Sequence, residues 1–94
     1  MKNKLYTFDQ HLKESLNDSE FKKAWEESEP EYVLAKDLIR KRTEKNLSQR
    51  DLAKKLNTSQ AVISRIETMS ANPSLSLLKR IAKELNTSLH VGFD

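Results

Sequence analysis

Apolar positions recur at helical spacing along most of the chain, and the most regular stretch covers residues 46–67, which read NLSQRDLAKKLNTSQAVISRIE. Within it, two short segments place apolar residues at helical intervals, and each follows a serine suited to N-capping, Ser48 or Ser59. Asn57 and Thr58 interrupt the pattern between the two segments. The stretch therefore predicts two short helices joined by a tight turn.

The second of these helices, predicted over residues 60–68, has an apolar face and a polar face. At about 100° per residue, Val62, Ile63 and Ile66 fall on one side. The opposite side carries Gln60, Ala61, Ser64, Arg65 and Thr68. The buried side of the first helix is predicted to be Leu52, Ala53 and Leu56. One face of each helix can pack in a core, and the polar face of the second helix remains free to contact a partner.

Two short amphipathic helices are predicted before residue 28, one over residues 8–16 and one that starts at Asp18 or Ser19. Their apolar stripes consist of Phe8, Leu12 and Leu16 in the first helix and of Phe21, Ala24 and Trp25 in the second. Residues 1–28 are therefore predicted to form a helical extension.

A longer helix is predicted to begin at Ser28 and to continue to about residue 45. Its start, Ser28-Glu29-Pro30-Glu31, matches a capping box with proline in the first turn. Arg42 lies on the apolar stripe of this helix. Because an unpaired buried charge is strongly destabilising, Arg42 requires a partner.

The C-terminal part of the chain combines a helix with a strand pattern. Ser74 is predicted to cap a helix over residues 75–85. Residues 87–94 then alternate apolar and polar side chains, which predicts a strand. A lone strand needs a partner, which is a second copy of the chain, the N-terminal arm or a bound protein. The predicted fold is mainly all-α, with five to six helices: an extension over residues 1–28, a helix-turn-helix domain over residues 29–86 and a short C-terminal β-strand over residues 87–94.

Length and composition restrict the classes of protein to which the chain can belong. Its 94 residues, 36% of them apolar, suit one small domain with a modest core. It has no cysteine, which excludes disulfides and thiolate chemistry and is compatible with a reducing cytoplasm. No apolar run reaches the length of about 18 residues that spans a bilayer. We therefore expect a soluble, cytoplasmic protein with no membrane contact.

The net charge of +3 is unevenly distributed. Residues 1–31 hold five lysines against eight acids, a net charge of −3, whereas residues 32–94 have a net charge of +6. A basic domain with a helix-turn-helix fits a polyphosphate partner, and an acidic arm fits a basic protein. Both regions are also compatible with ordinary solvated surfaces.

The sequence does not indicate a metal site or a catalytic centre. His11 and His90 are far apart in sequence and have no neighbouring metal ligands or matched acid groups. The single glycine excludes a phosphate-binding loop of the glycine-rich kind, and most serines occupy caps and turns. The sequence therefore predicts no enzyme, no metal and no cofactor.

The pattern LSQRDLAKKLNTSQAVISRIE resembles the Xre-type helix-turn-helix family, to which the lambdoid phage repressors belong. The family usually has glycine in the turn where this chain has Asn57, and asparagine also tolerates a left-handed backbone. The resemblance implies a lambda-repressor-like fold, double-stranded DNA as the partner and an ion pair between Arg42 and Glu67. The alternative is a helical hairpin with no nucleic acid near it.

Two kinds of DNA contact are expected from these residues. Gln49 and Ser59 stand at helix starts, where they would hold phosphates, whereas Gln60 and Arg65 would reach base edges. The full set of candidate DNA-binding residues is Gln49, Arg50, Thr58, Ser59, Gln60, Ala61, Ser64 and Arg65.

A longer part of the chain, residues 12–90, resembles the HigA-type antitoxins of bacterial type II toxin-antitoxin modules. The resemblance includes LNDSEFKKAWEES and PEYVLAKDLIRKR as well as the helix-turn-helix. It implies that the chain neutralises a small basic toxin of the RelE-like ribonuclease fold and represses its own operon as a homodimer on a palindromic operator. The candidate toxin-binding residues are Leu12, Leu16, Phe21, Trp25 and Glu26. The alternatives are a stand-alone phage- or plasmid-type repressor and an adaptor that binds only protein.

Overall fold

The computed structural model describes residues 19–94, with only the backbone of Phe21. This part of the chain forms four α-helices and no strand. The helices are α1 (Ser19–Glu44), α2 (Gln49–Lys55), α3 (Gln60–Glu67) and α4 (Leu75–Glu84). The helix predicted over residues 8–16 lies outside the described residues. The mainly helical fold expected from the sequence is confirmed for residues 19–94.

The core lies where the C-terminal half of α1 meets the three shorter helices. Its buried members are Leu38, Leu52, Ala53, Leu56, Ile63, Ile66, Ile81 and Leu85. α3 packs against both α1 and α2. The small side chain of Ala53 in α2 permits the close crossing of two helices. The Arg80 guanidinium of α4 donates a hydrogen bond to the Leu56 carbonyl, which ties α4 to the end of α2.

Serine caps begin the three shorter helices. The hydroxyls of Ser48, Ser59 and Ser74 accept hydrogen bonds from the backbone N–H groups of Asp51, Val62 and Leu77, at 2.9, 3.4 and 3.0 Å. Each cap has an extended backbone and occupies the position predicted from the sequence. These local hydrogen bonds set where α2, α3 and α4 start.

All four helices of residues 19–94 end in a Schellman motif. The residue after each C-cap has a left-handed backbone: Asn46 (φ 57°), Asn57 (φ 54°), Met69 (φ 64°) and Asn86 (φ 54°). The following N–H group returns to a carbonyl of the last turn, from Leu47 to Arg42, Thr58 to Ala53, Ser70 to Arg65 and Thr87 to Ala82. Asparagine tolerates this conformation, whereas a residue such as Met69 is strained there by about 1–2 kcal/mol.

The helix boundary predicted at Ser28 is wrong. α1 runs without interruption from Ser19 to Glu44, with Pro30 inside it. The Ser28 hydroxyl does not cap a new helix but donates to the Ala24 carbonyl at 3.1 Å, one turn earlier. On either side of Pro30, the rings of Trp25 and Tyr32 meet edge to face with centroids 4.6 Å apart. This contact spans the proline and helps to offset the missing hydrogen bond, so two predicted helices are one.

The predicted C-terminal strand is also wrong. Residues 87–94 have no regular secondary structure, and Val91 and Phe93 are 70% and 104% exposed. A strand requires a neighbour with which to exchange backbone hydrogen bonds, and no segment within residues 19–94 pairs with residues 87–94 in this way. The segment instead lies beside α1, where it forms one wall of a groove.

Candidate nucleic-acid interface

The turn before α3 sets the direction of this helix and thereby its outward face. Asn57 reverses the chain after α2, and Ser59 then caps α3 with an extended backbone. Ile63 and Ile66 are buried in the core. Because these two residues fix one side of α3, the opposite side faces solvent. Its side chains are the exposed Gln60, Ala61 and Arg65 and the partly buried Ser64.

A network of polar side chains connects three helices behind this face. Arg42 of α1 donates to both carboxylate oxygens of Glu67, from Nε to Oε2 at 2.7 Å and from Nη2 to Oε1 at 3.0 Å. Arg42 Nη1 donates to the Leu47 carbonyl at 2.7 Å. The side chains of Arg42 and Glu67 are only 12% and 4% exposed. The structure thus brings together the two residues expected to form an ion pair, and satisfies the buried charges with additional hydrogen bonds.

The same network includes two candidate DNA-binding side chains. Gln49 Nε2, at the start of α2, donates to Glu67 Oε1 at 2.9 Å. Gln49 Oε1 in turn accepts a hydrogen bond from Gln60 Nε2 at 3.4 Å. Gln49 and Gln60 are therefore held side by side, although they belong to different helices. The geometry places a pair of amide groups at the point where the starts of α2 and α3 meet.

A capping box that we did not predict lies at the start of α2. The Asp51 carboxylate accepts a hydrogen bond from the Ser48 N–H at 2.9 Å, while the Ser48 hydroxyl accepts one from the Asp51 N–H. The backbone N–H of Ser48, and then its hydroxyl, hold the pKa of the Asp51 carboxyl below its ordinary value of 3.8. The signal in the sequence was aspartate three residues after the capping serine, in place of the usual glutamate.

Positively charged side chains are exposed on the helix-turn-helix. Arg50, Lys54 and Lys55 are exposed on α2, and Arg65 is exposed on α3. None of these four side chains forms an ion pair with any residue of the 19–94 region. An anion that approached this surface would therefore meet unpaired positive charges.

The predicted site residues fall into two groups in the structure. All eight candidate DNA-binding residues, including the partly buried Thr58, lie on α2, α3 or the turn between them. Of the candidate toxin-binding residues, Glu26 is exposed and Trp25 is partly buried against Tyr32. Leu12, Leu16 and the Phe21 side chain lie outside the described residues. The link from Gln49 to Gln60 was not predicted, because it depends on how two helices cross.

The described part of the chain contains no candidate metal centre and no candidate membrane span. Between residues 19 and 94, no group of three or more His, Asp or Glu side chains is placed to hold a metal ion. No helix of that range is long and apolar enough to cross a membrane.

Comparison with known proteins identifies the helix-turn-helix part of the chain. The sequence profile of the helix-turn-helix family HTH_3 matches residues 38–91, which is more than half of the chain. No curated protein and no solved structure matches the chain. The family consists of DNA-binding regulators and is not an enzyme family. The chain therefore belongs to the helix-turn-helix family and is a DNA-binding transcriptional regulator of the Xre type.

Proposed function

We propose that the protein is an antitoxin that represses its own operon. It binds a palindromic operator as a homodimer and neutralises a small basic toxin of the RelE-like ribonuclease fold. The observation that carries the DNA-binding part is the outward face of α3, which the network of Arg42, Glu67 and Gln49 holds in place. Such a rigid support is what sequence readout requires, because the contacts with base edges tolerate little displacement.

The DNA contacts divide into two kinds in this proposal. Arg65 forks onto a guanine edge and Gln60 pairs with adenine, and each contact contributes about 1–3 kcal/mol of discrimination between bases. Gln49 and Ser59 hold phosphates, and Arg50 supplies a further positive charge near the backbone of the DNA. The hydrogen bond from Gln60 to Gln49 holds these two side chains next to each other, so both can approach the same stretch of DNA.

A dimer follows from the small size of one recognition surface. A single helix reads only a few base pairs, so a specific site needs two half-sites about one helical turn of DNA apart, or a multiple of it. The candidate dimer contact is α4, where Leu75 is 54% exposed at the first turn. Sedimentation that shows a monomer at tens of micromolar, with and without operator DNA, would refute the dimer.

The toxin-binding part of the proposal is supported by the N-terminal half of α1. Glu20, Glu26, Glu27 and Glu29 are exposed there, beside the partly buried Trp25. Large aromatic side chains are typical anchors of protein interfaces, and carboxylates accelerate the association of a basic partner. Residues 1–31 have a net charge of −3 and hence no electrostatic reason to approach DNA.

The DNA-binding part is tested by comparing Arg65→Ala with Arg40→Ala. Both variants lose one exposed positive charge, but Arg40 lies on α1 and pairs with Asp37 at 3.3 Å. A duplex library selected with the wild-type protein should yield an inverted repeat. Arg65→Ala should reduce the ratio of specific to nonspecific binding about tenfold or more, whereas Arg40→Ala should leave that ratio unchanged. An unchanged ratio in Arg65→Ala would refute the assignment.

The toxin-binding part is tested in cells by co-expression with the small basic protein encoded beside this chain. The antitoxin proposal expects the wild-type chain to restore growth and to copurify with that protein. A stand-alone repressor is the second candidate function, and the family match over residues 38–91 is equally consistent with it. Operator binding without growth rescue would select this second candidate.

A further inference from the structure

A groove of about 950 Å³ lies between α1 and residues 87–94, away from the outward face of α3. Its apolar lining includes Leu34 and Leu78, which are partly buried against the core. Val33 on one wall and Val91 on the other are 45% and 70% exposed. Exposed apolar side chains that line a groove are typical of a binding surface.

The rim of this groove is acidic, although the chain as a whole is basic. Its described lining has five carboxylates against two cations, Arg40 and Lys41. Both cations are already paired, Arg40 with Asp37 at 3.3 Å and Lys41 with Glu44 at 3.9 Å. The carboxylates of the lining are Glu26, Glu29, Glu31, Asp37 and Asp94. Glu26 and Glu29 are exposed and form no ion pair within residues 19–94.

We infer that the groove binds an amphipathic basic segment of a partner protein. Leucine-like side chains of that segment would cover Val33 and Val91, and its lysines or arginines would face Glu26 and Glu29. An apolar centre with a charged rim is the usual arrangement of such an interface. The inference rests on the proposed function for the partner's identity, a basic toxin, and extends the contact from Trp25 to the groove, whose carboxylate Glu29 lies one helical turn from Trp25.

The charge of the rim argues against the other possible occupants. DNA is repelled by the carboxylates and is attracted instead to the cations around α2 and α3. In a symmetric dimer, the same patch of both copies meets itself, so the two sets of carboxylates would face one another and repel. A basic protein segment is the occupant whose charge complements the groove.

The test uses the full-length protein labelled with ¹⁵N and a synthetic peptide that contains only lysine and leucine, with the leucines on one helical face. We expect the backbone amide signals of Val33, Leu89 and Val91 to shift as the peptide is added. A peptide in which glutamate replaces every lysine should produce no shift, because its charge matches that of the rim.

Charge reversal within the groove should distinguish a specific site from general attraction. The double variant Glu26→Lys with Glu29→Lys should weaken peptide binding about tenfold or more. The matched control, Glu27→Lys with Glu84→Lys, changes the net charge equally, but neither residue lines the groove. Its affinity for the peptide should fall much less.

Four results would overturn the inference. They are the absence of amide shifts, shifts confined to other surfaces, equal weakening in both double variants, and peptide binding that appears only after deletion of residues 1–18. The last result would assign the groove to the chain's own N-terminal segment. The growth assay tests the proposed function separately, since peptide binding without growth rescue refutes the antitoxin function alone, and growth rescue without peptide binding refutes only the groove.

Discussion

Replacement of Glu67 by alanine should destabilise the protein far more than the same change at an exposed acid. Glu67 accepts hydrogen bonds from Arg42 and from Gln49, and its side chain is 4% exposed. Removal of one partner from a buried ion pair costs about 3–5 kcal/mol, because the other charge stays buried without compensation. Arg42 keeps its bond to the Leu47 carbonyl, so we expect the lower end of this range.

The magnitude can be measured by thermal unfolding. In a domain of this size, 1 kcal/mol corresponds to about 4–8 °C, so a loss of about 3 kcal/mol should lower the Tm by about 12–24 °C. The matched control is Glu44→Ala, which removes an exposed partner of Lys41 at 3.9 Å and should cost less than about 1 kcal/mol. Gln49 also loses a hydrogen-bond partner in Glu67→Ala, and operator affinity should therefore fall even at temperatures where the variant is folded.

A double variant separates the buried charge from the loss of packing. Arg42→Met combined with Glu67→Leu leaves no unpaired charge behind, and replacement of a buried ion pair by apolar residues is often nearly neutral. The double variant should therefore be more stable than Glu67→Ala. Equal small losses in Glu67→Ala and Glu44→Ala would refute the reasoning, and so would a double variant that is less stable than Glu67→Ala.

Three further changes test other parts of the structure. Met69→Gly should raise stability by about 0.5–1 kcal/mol, because relief of the left-handed strain exceeds the entropy that glycine adds to the unfolded chain; a lower Tm would contradict this. The pKa of Asp51 is depressed in the folded state, so its stabilising effect is present above pH 3.8 and is lost as the pH falls through the folded value. Urea unfolding should accordingly show wild type to be more stable than Asp51→Asn at pH 7, with a smaller difference in acid; a constant difference would exclude the carboxylate as its source. Deletion of residues 1–28 should leave a folded dimer that binds the operator but no longer neutralises the toxin, as measured by circular dichroism, DNA binding and growth. Unfolding of the truncated chain would show that those residues belong to the core.

The sequence alone determined those features that depend on a few neighbouring residues. Capping serines and the asparagine at position 57 act within one turn of backbone, and they predicted the starts of α2, α3 and α4 and the turn of the helix-turn-helix. The apolar periodicity of α3 predicted its buried and exposed faces in the same way. The left-handed caps at Asn46 and Met69 were not predicted, and methionine has no intrinsic preference for that backbone.

Tertiary structure decided the features that depend on contacts between distant residues or on competition between local signals. The capping box at Ser28 was locally plausible, but a continuous α1 with the contact between Trp25 and Tyr32 replaced it. The alternating pattern of residues 87–94 met the local requirement for a strand, yet backbone pairing needs a neighbour that residues 19–94 do not supply. The hydrogen bond from Gln49 to Gln60 and the acidic groove arise from how helices and the C-terminal segment pack together. Such arrangements depend on the relative placement of whole elements, which periodicity and capping within each element leave undetermined.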